Sequence, residues 1–352
     1  MRYHGRKVLV TGGLGFIGSN LVIRLAELGA DVTVLDASLP GCGANSYNLE
    51  PVRDAVRLLP ADLRDTAAYA AELSGFEVVF NLAGEISHVH SMDFPERDLD
   101  INALAQLRFV LALRDRCPGV RVVYAGTRQI YGTPEYLPLD ESHPVQPVDF
   151  NGVHKYAATL YHLMLTRTGE LDAIVLRLTN IYGPRMSLKV PCQGFLSTFL
   201  RRLLCGQGLE IFGDGKQLRD PIYVDDAVDA FLLAGQVRKP ASRTYNVGGG
   251  EALSVAQIAE IGACAAGGVP LTFRPFPEER KAIDIGSYYT DSSLIERELG
   301  WKPRVRFEDG IVRTLEFYRR ELVHYLDPSQ PNPECDLPDH KSFVRRTVVP
   351  AV

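Results

Sequence analysis

The sequence predicts an α/β protein, a doubly wound parallel sheet joined to a smaller, interleaved C-terminal lobe. Three observations carry that expectation. Short, apolar, β-branched runs alternate with helix-length amphipathic stretches through the first half of the chain. Those runs have few polar interruptions, as suits parallel strands covered on both faces. The first of them also opens directly into a glycine-rich turn and a helix, TGGLGFIGSN.

Taken in order, KVLVTGG, DVTVLD, AVRLLPAD, EVVFNLAG, RVVYAGT and DAIVLRLTN read as successive strands. SNLVIRLAELG between the first two is helical, and it ends on Gly29, the residue type best able to cap a helix C-terminus. Strand–helix alternation at this spacing predicts a doubly wound sheet over residues 1–182. From 183 to about 325 proline and glycine punctuate shorter segments, which predicts a second, substrate-binding lobe. IYVDDAVDAFLLAG and TYNVGGG, within 222–250, are expected to return the chain to the first lobe. Residues 326–352 are proline-rich and polar and read as an arm or loosely packed extension.

The 352 residues suffice for a large core, and the net charge of −5 argues against a broad electrostatic footprint for nucleic acid. Basic pairs such as Arg201-Arg202 and Arg345-Arg346 read as solvated faces. The six cysteines, at 42, 117, 192, 205, 264 and 335, show no close Cys/His spacing. Free thiols in a reducing cytoplasm are therefore expected, with no metal site. No apolar run approaches membrane-spanning length, and the chain enters a strand at once, so neither a membrane segment nor a signal peptide is expected.

Gly12, Gly15 and Gly18 follow the first strand with GxxGxxG spacing. Glycine allows a tight turn and close backbone approach to a pyrophosphate, while the helix N-terminus offers free N–H groups. Asp36 ends the next strand, eighteen residues past Gly18, where a carboxylate can accept hydrogen bonds from an adenosine ribose. Ala37, Ser38 and Leu39 supply no cation to compensate a 2′-phosphate, so NAD is expected over NADP. Strand, turn, helix and acid together predict a Rossmann-type dinucleotide site.

TGGLGFIG, Asp36, ADLRD (61–65) and NLAG (81–84) resemble the extended short-chain dehydrogenase/reductase family, in the branch acting on nucleotide-diphosphate sugars. The resemblance continues through YAGTRQIYG (124–132), the Lys155 helix, RLTNIYGPR (177–185) and GDGKQLRDPIYVDDAVDA (213–230). It reaches ELGWKPRVRFEDGI (298–311). It implies that Phe16 and Ile17 accompany the three glycines at the cofactor, that Asp62 and Leu63 hold the adenine, and that Leu82 and Ala83 line the path to the nicotinamide. It places Asn180 and Arg219 at the diphosphate, with Arg185 and His88 among the substrate contacts. Arg280 is a second phosphate ligand or a surface arginine. The GDGKQLRD loop makes independent sense as a phosphate site, because glycines expose N–H groups and Arg219 is a planar two-pronged donor. Helices around 104–116 and 155–168 carry wide apolar surfaces. In the family the corresponding helices form a dimer interface, which implies a homodimer; packing on the sheet is the other reading.

Oxidation of a sugar hydroxyl with NAD requires a base for the O–H proton. The family pattern supplies a Tyr-x-x-x-Lys pair on a helix and a nearby hydroxyl. Thr127 stands at the hydroxyl position and Lys155 at the lysine, but Asn151 replaces the tyrosine, and a carboxamide is no base near neutral pH. Glu85 is the leading substitute, facing either the substrate or a salt bridge. His88 and His90 follow closely; sugar contacts or packing are expected of them rather than a metal pair, since no third ligand is in view. Arg128 and Gln129 stand where the family's sugar dehydratases keep an Asp-Glu pair, which disfavours dehydration. The expectation is an NAD-dependent nucleotide-sugar epimerase working through a transient keto sugar with a non-standard acid/base. The alternatives are a catalytically reduced dinucleotide-binding protein with a regulatory or scaffold role, and a dehydratase or oxidoreductase.

Overall fold

The computed structural model describes residues 2–39, 41–189, 194–277 and 283–326. Seven strands form one sheet: β1 (Lys7–Thr11), β2 (Asp31–Asp36), β3 (Val56–Pro60), β4 (Val78–Asn81), β5 (Arg121–Thr127), β6 (Asp172–Leu178) and β11 (Thr244–Val247). Their order is β11-β6-β5-β4-β1-β2-β3, and every pairing is parallel. All six strands expected from the first half are present. Hydrophobic side chains are buried on both faces through β1, β2, β4, β5 and β6. The exception is β3, which lies at the sheet edge and leaves Leu58 exposed. Its apolar sequence reads as central, but a strand's lateral position is set by which neighbours remain unpaired, and no local pattern records that.

Two apolar layers sandwich the sheet. On one face α1 (Phe16–Glu27) and α7 (Val224–Gln236) contribute Leu21, Val22, Leu25, Phe231 and Leu232 to a core with Val8, Val10 and Phe80. On the other, α4 (Ala105–Arg116) contributes Phe109, Val110 and Leu113, which pack with Leu9, Val79 and Val122. Between β4 and α4 run two short helices, α2 (His88–Asp93) and α3 (Pro95–Leu99), and the long α5 (Phe150–Arg167) packs beside them. α1 ends as its sequence implies: Gly29 has φ +76° and its N–H bonds the Ala26 carbonyl at 2.9 Å.

The second lobe has its own core. α6 (Phe195–Leu204), α8 (Val255–Ala265) and a C-terminal α10 (Phe307–Tyr325) converge on Phe199, Leu203, Ile258, Ile311 and Leu315. Short strand pairs complete it: β7 (Ile181–Tyr182) with β10 (Ile222–Tyr223), β8 (Leu209–Phe212) with β13 (Leu271–Arg274), and β9 (Leu218–Arg219) with β12 (Leu253–Ser254). After α9 (Ser293–Leu299) the chain is tied back to α7 by one buried acid. Asp226 Oδ2 accepts the N–H groups of Arg304 (3.0 Å) and Val305 (2.9 Å), and its carbonyl accepts Trp301 Nε1 at 2.8 Å. Asp226→Ala strands two backbone donors, so it should lower unfolding stability by about 1–3 kcal/mol in a denaturant titration.

Candidate active site

The cleft opens over the C-terminal ends of β1 and β4, where the winding direction of the sheet reverses. Its cavity measures about 320 Å³ and runs from the glycine turn, past Thr127 and Lys155, to Asn180 and the start of α6. The glycines are sterically required at two points. A Cβ on Gly18 would lie 2.2 Å from the Gly12 carbonyl oxygen, and one on Gly12, at φ +69°, would meet the Leu82–Ala83 backbone at 2.9 Å. Thr11 completes this contact, its hydroxyl accepting the Leu82 and Ala83 N–H groups at 3.1 Å each. β1, α1 and β4 are thereby pressed together and leave the α1 N-terminus open toward the cavity.

Asp36 borders the same cavity, held by the N–H groups of Leu14 (2.9 Å) and Ser38 (2.8 Å). Burial raises its carboxyl above the ordinary range, opposed by those two donors. Asp62 and Leu63 form the neighbouring wall. Arg64 pairs with Asp62 at 2.7 Å and holds its carboxyl below the usual value. Phe16, Ile17, Leu82 and Ala83 also line the cavity. Lys155 is fully buried, which pushes it down to about 8, with Asp98 opposing that shift. Its ammonium makes no hydrogen bond to the described residues, yet it borders the cavity. A ribose diol would supply the missing acceptors. The close backbone approach at Gly12 and Gly18, a carboxylate on the cavity wall at Asp36 and a cavity-lining ammonium at Lys155, which lies over the Tyr124 ring and has no hydrogen-bond acceptor among the described residues, together fit NAD.

Beside Lys155 the structure shows which groups Asn151 meets. Asn151 is buried, and its Nδ2 donates to the Glu85 carbonyl (2.9 Å) and to Asp98 Oδ2 (2.8 Å). Asp98 is itself enclosed, accepting Asn102 Nδ2 at 2.9 Å and His154 Nδ1 at 2.7 Å. An ionised carboxylate only accepts, so these contacts fix the orientation of the Asn151 amide. Its Oδ1 is buried without a partner and Asn151 borders the cavity. Gln129 Oε1, Asn180 Oδ1 and Arg128 Nη1 are likewise buried, unpartnered and on cavity-lining residues. Thr127 caps the turn after β5, accepting the Gln129 N–H at 3.2 Å, and also borders the cavity.

Several expected contacts are placed elsewhere. The Glu85 carboxylate is not part of the cavity wall; Arg97 Nε donates to it at 3.2 Å. The sequence left it between substrate and salt bridge, and the salt bridge is what forms. Arg219 is buried outside the cavity, its Nη1 donating to the Leu218 and Gly286 carbonyls at 2.7 and 2.6 Å. Arg185 reaches Asn20 Oδ1 (2.9 Å) and the Asn48 carbonyl (3.3 Å), stacks over Phe317, and clamps the two lobes. Both guanidiniums donate to backbone carbonyls brought near them by the fold, contacts invisible in sequence. Arg280 and the tail beyond 326 lie outside the described residues. His88 does border the cavity, and its Nδ1 meets Asp149 Oδ2 at 2.7 Å. His90 stands 4.0 Å from Glu85 and is not in the wall. Among the described residues no cluster of three or more His, Cys, Asp or Glu could hold a metal ion. Sequence reasoning missed Asp98 and Asp149. The second had a signal, an aspartate placed to cap α5, whose Oδ1 accepts the Gly152 N–H at 2.7 Å.

The profile of the NAD dependent epimerase/dehydratase family matches residues 8–248. The chain belongs to that family. It is similar to the UDP-glucose 4-epimerase of Mycolicibacterium smegmatis, 35% identical over 90% of this chain and 99% of the relative. It also resembles the UDP-glucose 4-epimerase of Thermotoga maritima crystallised with UDP-glucose, with TM-score 0.81, 30% identity, and 90% and 99% of the two chains covered. DesIV, a dTDP-glucose 4,6-dehydratase from Streptomyces venezuelae solved with NAD bound, matches with TM-score 0.81 and 30% identity over 91% and 98%. The chain is thus an NAD-dependent enzyme of the nucleotide-sugar epimerase/dehydratase class, an extended short-chain dehydrogenase/reductase with a Rossmann sheet. No helix among the described residues is long and apolar enough to cross a membrane. With Asp36 on the cavity wall and no cation among Ala37, Ser38 and Leu39, apo protein should bind NAD more than about tenfold tighter than NADP, or about 1.4 kcal/mol, by calorimetry.

Proposed function

We propose that this protein is a nucleotide-sugar epimerase that works through a transient keto sugar, with a residue other than the family tyrosine moving the proton. One observation supports it above others: Asn151 Oδ1, Gln129 Oε1, Asn180 Oδ1 and Arg128 Nη1, all unpartnered, lie on residues lining one cavity with Thr127 and Lys155. Buried polar atoms left without partners cost about 1–3 kcal/mol each, so a polyhydroxylated ligand is the natural complement. NAD, when bound, takes up hydride from the sugar carbon and returns it. Lys155 holds the cofactor ribose, Thr127 and Asn151 Oδ1 position the reacting hydroxyl, and Asn180 serves the diphosphate end. Arg128 and Gln129 supply no carboxyl pair for water loss, which favours epimerisation over dehydration. The first-lobe span 1–182 with its 222–250 return forms the cofactor half, and 183–325 the sugar half.

The assay is mass-resolved. Wild-type protein incubated with UDP-, dTDP- and GDP-hexoses should give an isomer of unchanged mass with no net consumption of NAD. Loss of one water from the product would make it a dehydratase. Bound NAD without any conversion would favour the regulatory or scaffold reading. Asn151→Tyr should lower turnover rather than raise it, because the phenol cannot donate to both Asp98 and the Glu85 carbonyl from that space.

The protein is further proposed to be a homodimer, with nucleotide sugar and NAD as its small-molecule partners and the cytoplasm as its compartment. Phe150, Val153, Leu160 and Met164 form one stripe along α5, each 41–48% exposed, and Leu104 adds to it from the start of the α4 segment. An apolar stripe of this extent on neighbouring helices marks an interface. Light scattering at micromolar concentration should give twice the chain mass, and Leu160→Glu should halve it.

A further inference from the structure

We infer that His88, oriented by Asp149, is the acid/base of this enzyme, in place of the absent tyrosine; the inference rests on the epimerase reading above. His88 opens α2 directly after the Ser87 cap and borders the same cavity as Thr127, Asn151 and Lys155. Its side chain is 36% exposed, whereas that of Asp149 is 3% exposed. The Nδ1–Oδ2 distance is 2.7 Å. Asp149 is fixed from its other oxygen by the Gly152 N–H at 2.7 Å, so the carboxylate cannot swing away.

This arrangement sets the ring's tautomer. A carboxylate accepts and does not donate, so Nδ1 carries the proton and Nε2 is the free acceptor in the neutral ring. No described residue occupies Nε2. A buried carboxylate on Nδ1 is also the pairing that orients a catalytic histidine in other enzymes. Three competing groups are engaged. Glu85 is paired with Arg97, the Tyr131 hydroxyl is held between Asn246 and Arg177, and His154 is bonded to Asp98.

The step balances without a further reactant. Nε2 takes the proton of the sugar hydroxyl as its O–H bond breaks. The hydrogen on the same carbon leaves as hydride to the bound cofactor, and the carbon–oxygen bond becomes a carbonyl. On the return, hydride is delivered to the opposite face of that carbon and the imidazolium gives its proton back to the oxygen. Asp149 is a positioning residue, and His88 the catalytic one. Asn151 then needs no acid/base function and can hold the hydroxyl from its unpartnered oxygen.

The test uses the NAD-loaded protein and the nucleotide sugar that the wild type converts. His88→Gln and His88→Ala should retain bound NAD, read by absorbance, and calorimetric affinity for the nucleotide sugar within about threefold. Their kcat should fall by about 10²–10⁴-fold, the usual contribution of a positioned general base. Added imidazole should restore part of the rate to His88→Ala, which a purely structural role would not allow. Asp149→Asn, which can still cap α5, should lower kcat with KM unchanged. A His88→Gln enzyme with wild-type kcat overturns the assignment and transfers it to Lys155. A raised KM at unchanged kcat also overturns it and makes His88 a sugar contact. A wild type that converts no nucleotide sugar overturns the epimerase reading and this inference with it, whereas conversion that survives loss of His88 overturns the inference alone.

Discussion

The chemistry of the site depends on how one buried carboxylate is satisfied. Asp98 sits on a five-residue helix and is 2% exposed, so its charge must be met by donors from neighbouring elements. Asn102 reaches it from the next turn, and Asn151 and His154 reach it from α5. Unpairing such a group costs several kcal/mol, which locks α3 and α5 in register and fixes the amide of Asn151. An asparagine can donate twice from one nitrogen, to Asp98 and to the Glu85 carbonyl, and still present an acceptor. A tyrosine has a single hydroxyl proton. Asn151 thus closes a hydrogen-bond network, and under the proposed mechanism it takes no part in exchanging the proton.

The same network accounts for Glu85 and Lys155. Asn102 bonds both the N–H and the carbonyl of Glu85, at 3.1 and 3.0 Å, so the backbone there is pinned while the side chain extends to Arg97. Lys155, one helical turn beyond Asn151, is pushed down to about 8 by burial, and Asp98 offsets part of that desolvation. The cofactor end follows a different logic, steric rather than electrostatic, set by the approach of Gly12 and Gly18.

Much of this was legible in the chain. The six strand runs, the glycine turn, Asp36 and the α1 stop at Gly29 follow from patterns with local causes: side-chain alternation, the conformational reach of glycine and the placement of a strand-end acid. That position 151 is asparagine, and that 128 and 129 are arginine and glutamine, is equally plain. What misled the reading were charged residues. Arg219 resembles a phosphate ligand and Arg185 a substrate contact by type and neighbourhood, and Glu85 resembles a base by proximity to the nicotinamide path. A long charged side chain can turn either way from its Cα, and only the partners around it choose.

The sequence by itself determined the sheet and the dinucleotide site, because these rest on periodicity and on spacings between residues close along the chain, and it indicated the enzyme class through its resemblance to a family. Tertiary structure decided which charges face the cleft. The pairing of His88 with Asp149 spans 61 positions, and that of Asn151 with Asp98 spans 53. Nothing in either local segment announces its partner. Such contacts depend on the distance and burial of groups that meet only when α2, α3 and α5 pack together, and burial makes each one costly to leave unpaired.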